Sequence, residues 1–463
     1  MRSVLASAAL AATVLVVACG GTLAPPEPVV GPTGYVYPLG TPPTGTRFSQ
    51  TATLYFREGN FERTLDLALE GIADDPGNAV HYLLAGMAQL SLEDFVAADS
   101  MFDRAQSIYP AYELDIEPQR EAAWGAAFNA GLASYAEGDT DATIEHWQDA
   151  IVMYDLRPAA HRNLAGLLAT EGRYDEAIEV YRDAIDGLGR RPATEVLSEE
   201  DLSERAESET GLEDQLTALL MLTARYEEAE PLLRRRLERE PESVDARSDL
   251  ASALNSLGRE DEARDIYSAL LSEGGLAATE LFNLGVGLFR VADFAGAAEA
   301  FRRLTELQPE SRDAWFNYAN ALFAMEDWAP LVGVGERLLE LDPLGENALL
   351  IAARARLETG DRAGAVEILQ LVDAAPVHLE ALRLRRVGVG TTVEGRMTGN
   401  VATPGTPVEL LFSFFGDGGV QAGTATVTVD APAEGETEQF VVTFEARSLS
   451  YRYELVRAVV PES

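Results

Sequence analysis

In the stretch NLAGLLATEGRYDEAIEVYRDAI, from Asn163 to Ile185, apolar residues fall three and four apart on both sides of Gly172. That spacing predicts two amphipathic helices joined by a short turn. Leu164, Leu168, Tyr174 and Tyr181 are expected to fill the space between them, and Ala165 and Ala177 to be small so that the helix axes approach closely. Gly172 can take the left-handed conformation that ends the first helix, and Pro192 closes the second. The pattern returns at a fixed distance. Pro241, Gly275, Pro309 and Pro343 are successive steps of 34 residues, as are Leu216, Leu250, Leu284 and Tyr318, and Ala229, Ala263 and Ala297.

The phase slips twice. From Glu93 to Gly138 is 45 residues, which leaves 11 beyond one repeat, in AYELDIEPQRE after Pro110. From Gly172 to Ala224 is 52, which leaves 18, centred on the acidic ATEVLSEEDLSERAESET. This second insert reads either as an exposed excursion or as a lengthened helix pair, with a solvated charged surface. After Pro376 the helical period stops. LEALRL, TTVEGRMTGN, PVELLFSFFG, GTATVTVD, EQFVVTFEA and YRYELV alternate or run apolar between Gly, Pro and Asp turns, which predicts a small antiparallel β domain, most simply a sandwich.

A period of 34 with these small residues, turn glycines and closing prolines resembles the tetratricopeptide repeat. The resemblance implies a mainly α chain: a right-handed superhelix of about nine helix-turn-helix repeats, followed by the small antiparallel β-sandwich. The copies begin near Gly45, Ala79, Trp124, Pro158, Thr210, Val244, Ala278, Arg312 and Glu346. Such copies cannot bury their apolar faces singly, so stability comes from stacking neighbours. In the C-terminal module, VEGRMTGN, LLFSFFGDGG and EGETEQFVVTF resemble the FxLYD-type immunoglobulin-like domain of bacterial envelope proteins. That resemblance implies that Asn400 ends a strand, that Asp417 and Gly418 make a hairpin turn, and that Gly435, Glu436, Thr437 and Phe440 begin a core strand.

The first residues, MRSVLASAALAATVLVVACGG, hold one Arg, an apolar run from Val4 to Val17 that is short for a membrane span, and then Ala18-Cys19. Val16-Val17-Ala18-Cys19 resembles a bacterial lipoprotein processing box, which implies acylation of Cys19 and anchoring to a lipid bilayer through N-terminal acyl chains. Cys19 is the single cysteine of the chain, so no intrachain disulfide can form. Gly20 after it favours, by the sorting rule of such lipoproteins, the periplasmic face of the outer membrane. From Gly20 to about Arg47 the chain is rich in Pro, Gly and Thr, and it is expected to be a semi-extended tether. The expected organisation is therefore a signal peptide over 1–18, a tether over 19–44, a solenoid over 45–376 and the β domain over 377–463.

Charge narrows the partners. The formal net charge is -40, with 76 acidic residues, and all 36 cations are Arg. A chain of this sign lacks the basic footprint that nucleic acid requires. The acidity suits solubility in a high-salt or GC-rich host, or a basic protein partner. Because the β module carries 11 acids against 7 Arg, nearly all of the excess lies on the repeat array.

A catalytic constellation is not legible. His81, His146, His161 and His378 include no i, i+4 pair, and one Cys gives no zinc framework. Gly285-Val286-Gly287 falls inside a predicted helix and Gly388-Val389-Gly390 precedes a strand, so neither can cradle a phosphate. No metal or cofactor is expected, and the chain reads as no enzyme.

One constellation rises above this background. The sixth position of six consecutive copies is Asn129, Asn163, Gln215, Asp249, Asn283 and Asn317. By the tetratricopeptide resemblance this position lies on the first helix and faces the concave channel. A primary amide carries a donor and an acceptor side by side and can pair with an extended backbone regardless of side chains. Phe282 and Phe289, and Phe316 and Phe323, stand seven apart on the same face, with Asn320 between the last two. Tidy helix packing by the amides and burial of the phenylalanines between helices are the competing readings. The expected function is a membrane-anchored, non-enzymatic scaffold that binds envelope protein or peptide partners through the channel. The alternatives are a structural part of an envelope assembly machine packed through its outer surface, or an accessory activator of cell-wall synthesis.

Overall fold

The computed structural model describes residues 27–190, 192–196, 198–416 and 419–460. The signal segment, Cys19 and the first part of the tether lie outside the described residues, as do Asp417 and Gly418. The repeat pattern becomes an alternation of first and second helices. The first helices are α1 (Arg47–Arg57), α3 (Ala79–Ser91), α5 (Glu113–Glu137), α7 (Pro158–Thr170), α9 (Glu199–Leu222), α11 (Val244–Ser256), α13 (Ala278–Arg290), α15 (Arg312–Ala324) and α17 (Glu346–Glu358). The second helices are α2 (Phe61–Asp74), α4 (Phe95–Ile108), α6 (Thr140–Met153), α8 (Tyr174–Leu188), α10 (Tyr226–Arg239), α12 (Glu260–Ser272), α14 (Phe294–Leu307), α16 (Trp328–Leu341) and α18 (Arg362–Ala374). The chain divides into two compact units, one reaching Ala224 and the other starting at Arg225.

Turn chemistry explains the alternation. Each first helix is followed by one residue in the left-handed region: Gly59, Glu93, Gly138, Gly172, Ala224, Gly258, Ala292, Glu326 and Gly360, with φ between 55° and 89°. That residue reverses the chain, and in five of the nine pairs the next helix then starts on a side-chain cap. Asn60, Asp94, Asp139, Asp293 and Asp361 each accept a hydrogen bond from the backbone N–H three residues on. Across three of the pairs, a glycine on the first helix meets a ring on the second. A Cβ on Gly86 would lie 2.7 Å from the Phe102 ring, and one on Gly285 would lie 2.7 Å from the Phe301 ring. Gly131 stands in the same relation to Trp147. Ala165 and Ala177 are fully buried, and Leu164, Leu168 and Tyr181 are core residues. Tyr174 is not: it opens α8 at the rim and is exposed.

Both phase slips lengthen a first helix at its N-terminal end. The earlier insert forms a 3-10 turn, Pro110–Tyr112, and the opening turns of the 25-residue α5. The later insert contributes to the 24-residue α9, which starts with a capping box between Ser198 and Asp201. Of the two readings that the sequence leaves open, the acidic insert takes the lengthened helix.

The segment from residue 27 to residue 44, expected as semi-extended tether, is folded against the first unit. Val30 and Val36 form an antiparallel bridge, and Tyr37 is buried. Thr41 N–H donates to the Ile108 carbonyl at 2.9 Å, and the Thr33 hydroxyl donates to the Ala193 carbonyl at 2.6 Å. Asn78 exchanges hydrogen bonds with the Thr44 backbone. Burial of Tyr37, with Val29 half-buried, supplies the apolar contribution, while Val30, Tyr35 and Val36 stay exposed.

In the second unit the helices give way to two three-stranded antiparallel sheets. One has the order β1 (Val377–Val387), β2 (Gly390–Gly399), β5 (Thr437–Phe444). The other has the order β4 (Gln421–Asp430), β3 (Pro407–Phe415), β6 (Ser450–Arg457). Phe412, Phe414, Tyr451 and Tyr453 from one sheet share a core with Val393, Met397, Phe440 and Val442 from the other, which makes the pair a small sandwich.

The left-handed turn positions yield a direct test. Nothing lies within 4 Å of a Cβ placed on Gly172 or Gly138, so Gly172→Ala meets only the backbone penalty of an L-residue at positive φ. It is expected to destabilise by about 1 kcal/mol, whereas Ala292→Gly should be neutral or stabilise by up to about 1 kcal/mol. Denaturant unfolding of the two variants measures both signs; a loss in each would contradict the assignment.

Candidate interaction surface

The position-six residues stand on first helices, where a side chain faces either the paired helix or the open side. In the first unit Asn129 on α5 and Gln215 on α9 are exposed, and Asn163 on α7 is half-buried. In the second unit Asp249 on α11 and Asn283 on α13 are exposed, and Asn317 and Asn320 on α15 are half-buried. Partial desolvation, with the nearby Asp245 charge, holds the Asp249 carboxyl above the ordinary carboxylate range, against the pull of Arg236. The Asn317 amide donates to the Asp313 carbonyl one turn back, at 2.8 Å. One of its two N–H bonds is therefore spent inside its own helix.

The aromatics divide into two kinds. Phe282 and Phe289 are each 36% exposed and Phe323 is 40% exposed, more than a core ring allows. Each leans edge-on against a ring of the second helix: Phe282 on Phe301 at 6.2 Å, Phe289 on Phe294 at 5.0 Å and Phe323 on Trp328 at 5.3 Å between centroids. Edge-to-face contact fixes a ring while leaving one face open. Phe316 has another place. It is half-buried, and the Arg312 guanidinium lies 4.6 Å from its centroid.

Arg312 belongs to a buried polar network that holds the N-terminus of α15 against the β module. Its Nε and one terminal nitrogen donate to Asp342 Oδ2 at 2.8 and 2.6 Å. The Tyr453 hydroxyl, from β6, donates to Asp342 Oδ1 at 2.5 Å and accepts from the Leu344 N–H at 3.1 Å. Asp342 is wholly buried. Burial alone would lower the Arg312 pKa, but the Asp342 charge raises it well above its ordinary value; burial and then the same charge push the Tyr453 phenol up. Asn400 adds a second tie by donating to the Ala375 carbonyl at 2.8 Å and the Val372 carbonyl at 3.1 Å, which satisfies the end of α18. Sequence reading missed this network because Arg312 and Asp342 each look like surface charges at a repeat boundary, and the alternation of β6 does not single out Tyr453.

The earlier insert builds a polar cavity in the first unit. It has a volume of about 340 Å³ and lies between α4, the start of α5, the end of α6 and the segment after α8. Arg120 is its central cation, 2.5 Å from Asp99 and 2.6 Å from Asp103. Burial raises the Asp99 and Glu117 carboxyls in spite of that cation. The position-six amides and the phenylalanines lie elsewhere. Among the described residues no group of three or more His, Cys, Asp or Glu is placed to hold a metal ion.

Stacked helix pairs that present amides and half-open rings define a helical-repeat scaffold for protein interaction. The repeats are tetratricopeptide repeats: models of that repeat match residues 122–192, 220–278 and 282–329. Among solved structures, a tetratricopeptide repeat protein from Parabacteroides merdae is 14% identical, covering 54% of this chain and 98% of its own, with a TM-score of 0.36. MamA from Desulfovibrio magneticus is 16% identical over 35% of this chain and 92% of its own, with a TM-score of 0.31. YrrB, described as a tetratricopeptide repeat protein with an unusual peptide-binding site, is 16% identical over 49% and 90%, with a TM-score of 0.28. Comparison with curated proteins finds no match.

The junction network carries its own test. Asp342→Ala leaves the Arg312 guanidinium buried without its partner and is expected to cost about 3 to 5 kcal/mol. Tyr453→Phe removes one hydroxyl from a charged acceptor and should cost about 1.5 to 3 kcal/mol. Thermal melts read both, and equal stability of Asp342→Ala and wild type would show that the network does not hold the module.

Proposed function

We propose that the protein is a lipid-anchored, non-enzymatic scaffold of a bacterial cell envelope that recruits a protein or peptide segment along the first-helix face of its repeats. The observation that carries the reading is the exposure of Phe282, Phe289 and Phe323 beside the exposed amide of Asn283. Rings propped by a second ring offer apolar area without a large loss of side-chain freedom on binding, and the amide orients a backbone laid across them. The excess of carboxylates favours a basic partner. The Val16-Val17-Ala18-Cys19 box supports acylation at Cys19, and Gly20 supports the periplasmic face of the outer membrane. The β module is assigned to the FxLYD-type immunoglobulin-like class. Asn400 directly after β2, Gly435 at φ 78° and buried Phe440 in β5 support that assignment. With Val29 bonded to Tyr37 and Thr33 to Ala193, the chain from Cys19 to Val29 can span no more than about 36 Å.

Two experiments test the proposal. A photocrosslinking residue at Phe289 in the living cell should capture a discrete partner that the same residue at Arg302, on α14, does not; capture from Arg302 alone would move the contact to the second helices. Against the captured partner, Asn283→Ala with Asn317→Ala should weaken binding by about tenfold, at roughly 0.5 to 1.5 kcal/mol per amide, with most of it from Asn283. Phe289→Ala and Phe323→Ala should lose affinity and cost well under the roughly 3 to 5 kcal/mol of a buried Phe. Loss of stability without loss of binding would overturn the assignment of the face. Mass measurement of the mature N-terminus addresses the anchor: acyl chains are expected on Cys19, none after Cys19→Ser, and an unmodified thiol in the wild type would end the anchoring idea.

A further inference from the structure

The β1–β2 hairpin differs in charge from the rest of this acidic chain. Between Ala381 and Val393 there is no acid, and three arginines, Arg383, Arg385 and Arg386, precede the turn. A bulge sets this part of the hairpin off: the register shifts between Glu380 and Arg383, and Ala381 is held at φ 51°. A bulge of this kind bends and re-aims the strand beyond it. Beyond it, Glu394 is paired with Arg385 at 3.2 Å, while Arg383 and Arg386 make no ion pair among the described residues. At the tip Val387 is 62% exposed and Val389 is 80% exposed, the highest value of any large apolar side chain among the described residues. The loop after β5 comes to the same end of the sheet, where the Thr391 hydroxyl donates to the Ala446 carbonyl and accepts from the Ser448 N–H. This places Arg447 beside the tip, together with Glu445.

We propose that the β1–β2 hairpin tip is a membrane-contacting element: Val387 and Val389 enter the interface of an anionic bilayer while Arg383, Arg386 and Arg447 meet its headgroups. Two valines are far too small an apolar area for a stable protein interface, which needs several hundred Å² on each side, but a bilayer requires no shape complementarity. Arg stems extend along the apolar boundary and keep their charge at headgroup depth. The net charge of the chain does not forbid this contact. At physiological salt a charge is screened over about 8 Å, so the local sign of the tip governs its approach to a surface. The contact is independent of Cys19, and it would fix which end of the β module faces the lipid.

The test uses the full chain carrying Cys19→Ser, so that no acyl chain contributes, with vesicles of phosphatidylcholine alone or mixed with phosphatidylglycerol. Any background from the apolar N-terminal run is common to every variant, so the readout is the difference between the two vesicle types. Cosedimentation should be stronger on the anionic vesicles and fall with added salt. Arg383→Gln and Arg386→Gln should each weaken it about fivefold. Val387→Ser with Val389→Ser should weaken it at all salt concentrations, and melts of these surface variants should match the parent. Equal binding to both vesicle types, or anionic binding that the hairpin variants leave unchanged, would overturn the proposal. So would salt-sensitive self-association, seen by light scattering, that the arginine variants abolish, because the tip would then be reading the acidic surface of a second copy.

Discussion

The fold depends on how closely two helices in a pair can approach. Where Gly86 faces Phe102, Gly131 faces Trp147 and Gly285 faces Phe301, a ring lies on bare backbone, with no side chain between. Dispersion falls steeply with separation, so this contact is available only at positions without a Cβ. It fixes the spacing of the pair, and the spacing decides which other residues reach the core. Leucines four apart fill the seam, while side chains one position away, such as Phe282 and Asn283, are turned to the open side. The proposed interaction surface is thus a by-product of helix packing, held by the same contacts that hold the repeat together.

Much of this was legible in the sequence because a period of 34 is incompatible with any architecture other than stacked repeats of one size. Six of the nine first helices start at the residue that the period marks, from Ala79 through Glu346. The two that start well before it, α5 and α9, follow the inserts, because extra residues ahead of a repeat can extend its helix backward without disturbing its register. Tyr174 was misread for a related reason: an aromatic at the first position of a second helix lies at the turn, where the pair opens. The six β segments were legible from their alternation. The attachment of the β module was not, since Arg312, Asp342 and Tyr453 meet only in three dimensions and none lies in a pattern that periodicity can detect. The exposure of the phenylalanines was likewise open at the level of sequence, because a face that binds and a face that stacks carry the same residues.

The buried network and the amides solve different problems with similar chemistry. Asp342 sits where no water reaches, so every lone pair needs a donor, and Arg312 and Tyr453 supply them. The result is a rigid attachment of the module to α15, the helix that also carries Asn317, Asn320 and Phe323. Asn283 is exposed and its hydrogen-bonding groups face solvent, the condition under which they can be exchanged for those of a partner.

The folding of residues 27–44 onto the first unit has a mechanical consequence. Tension applied to the chain ahead of residue 27 does not unwind α1 from its end. It reaches first the Val30–Val36 bridge and the bonds of Thr33 and Thr41, which lead into the segment before α9 and the end of α4. Because those two points are 160 and 67 residues away along the chain, load is divided across the unit in parallel and does not peel one repeat after another. Of the two inserts that break the period, the later one shares this load through the Ala193 carbonyl, while Thr41 is held by Ile108, the last residue of α4, ahead of the earlier insert.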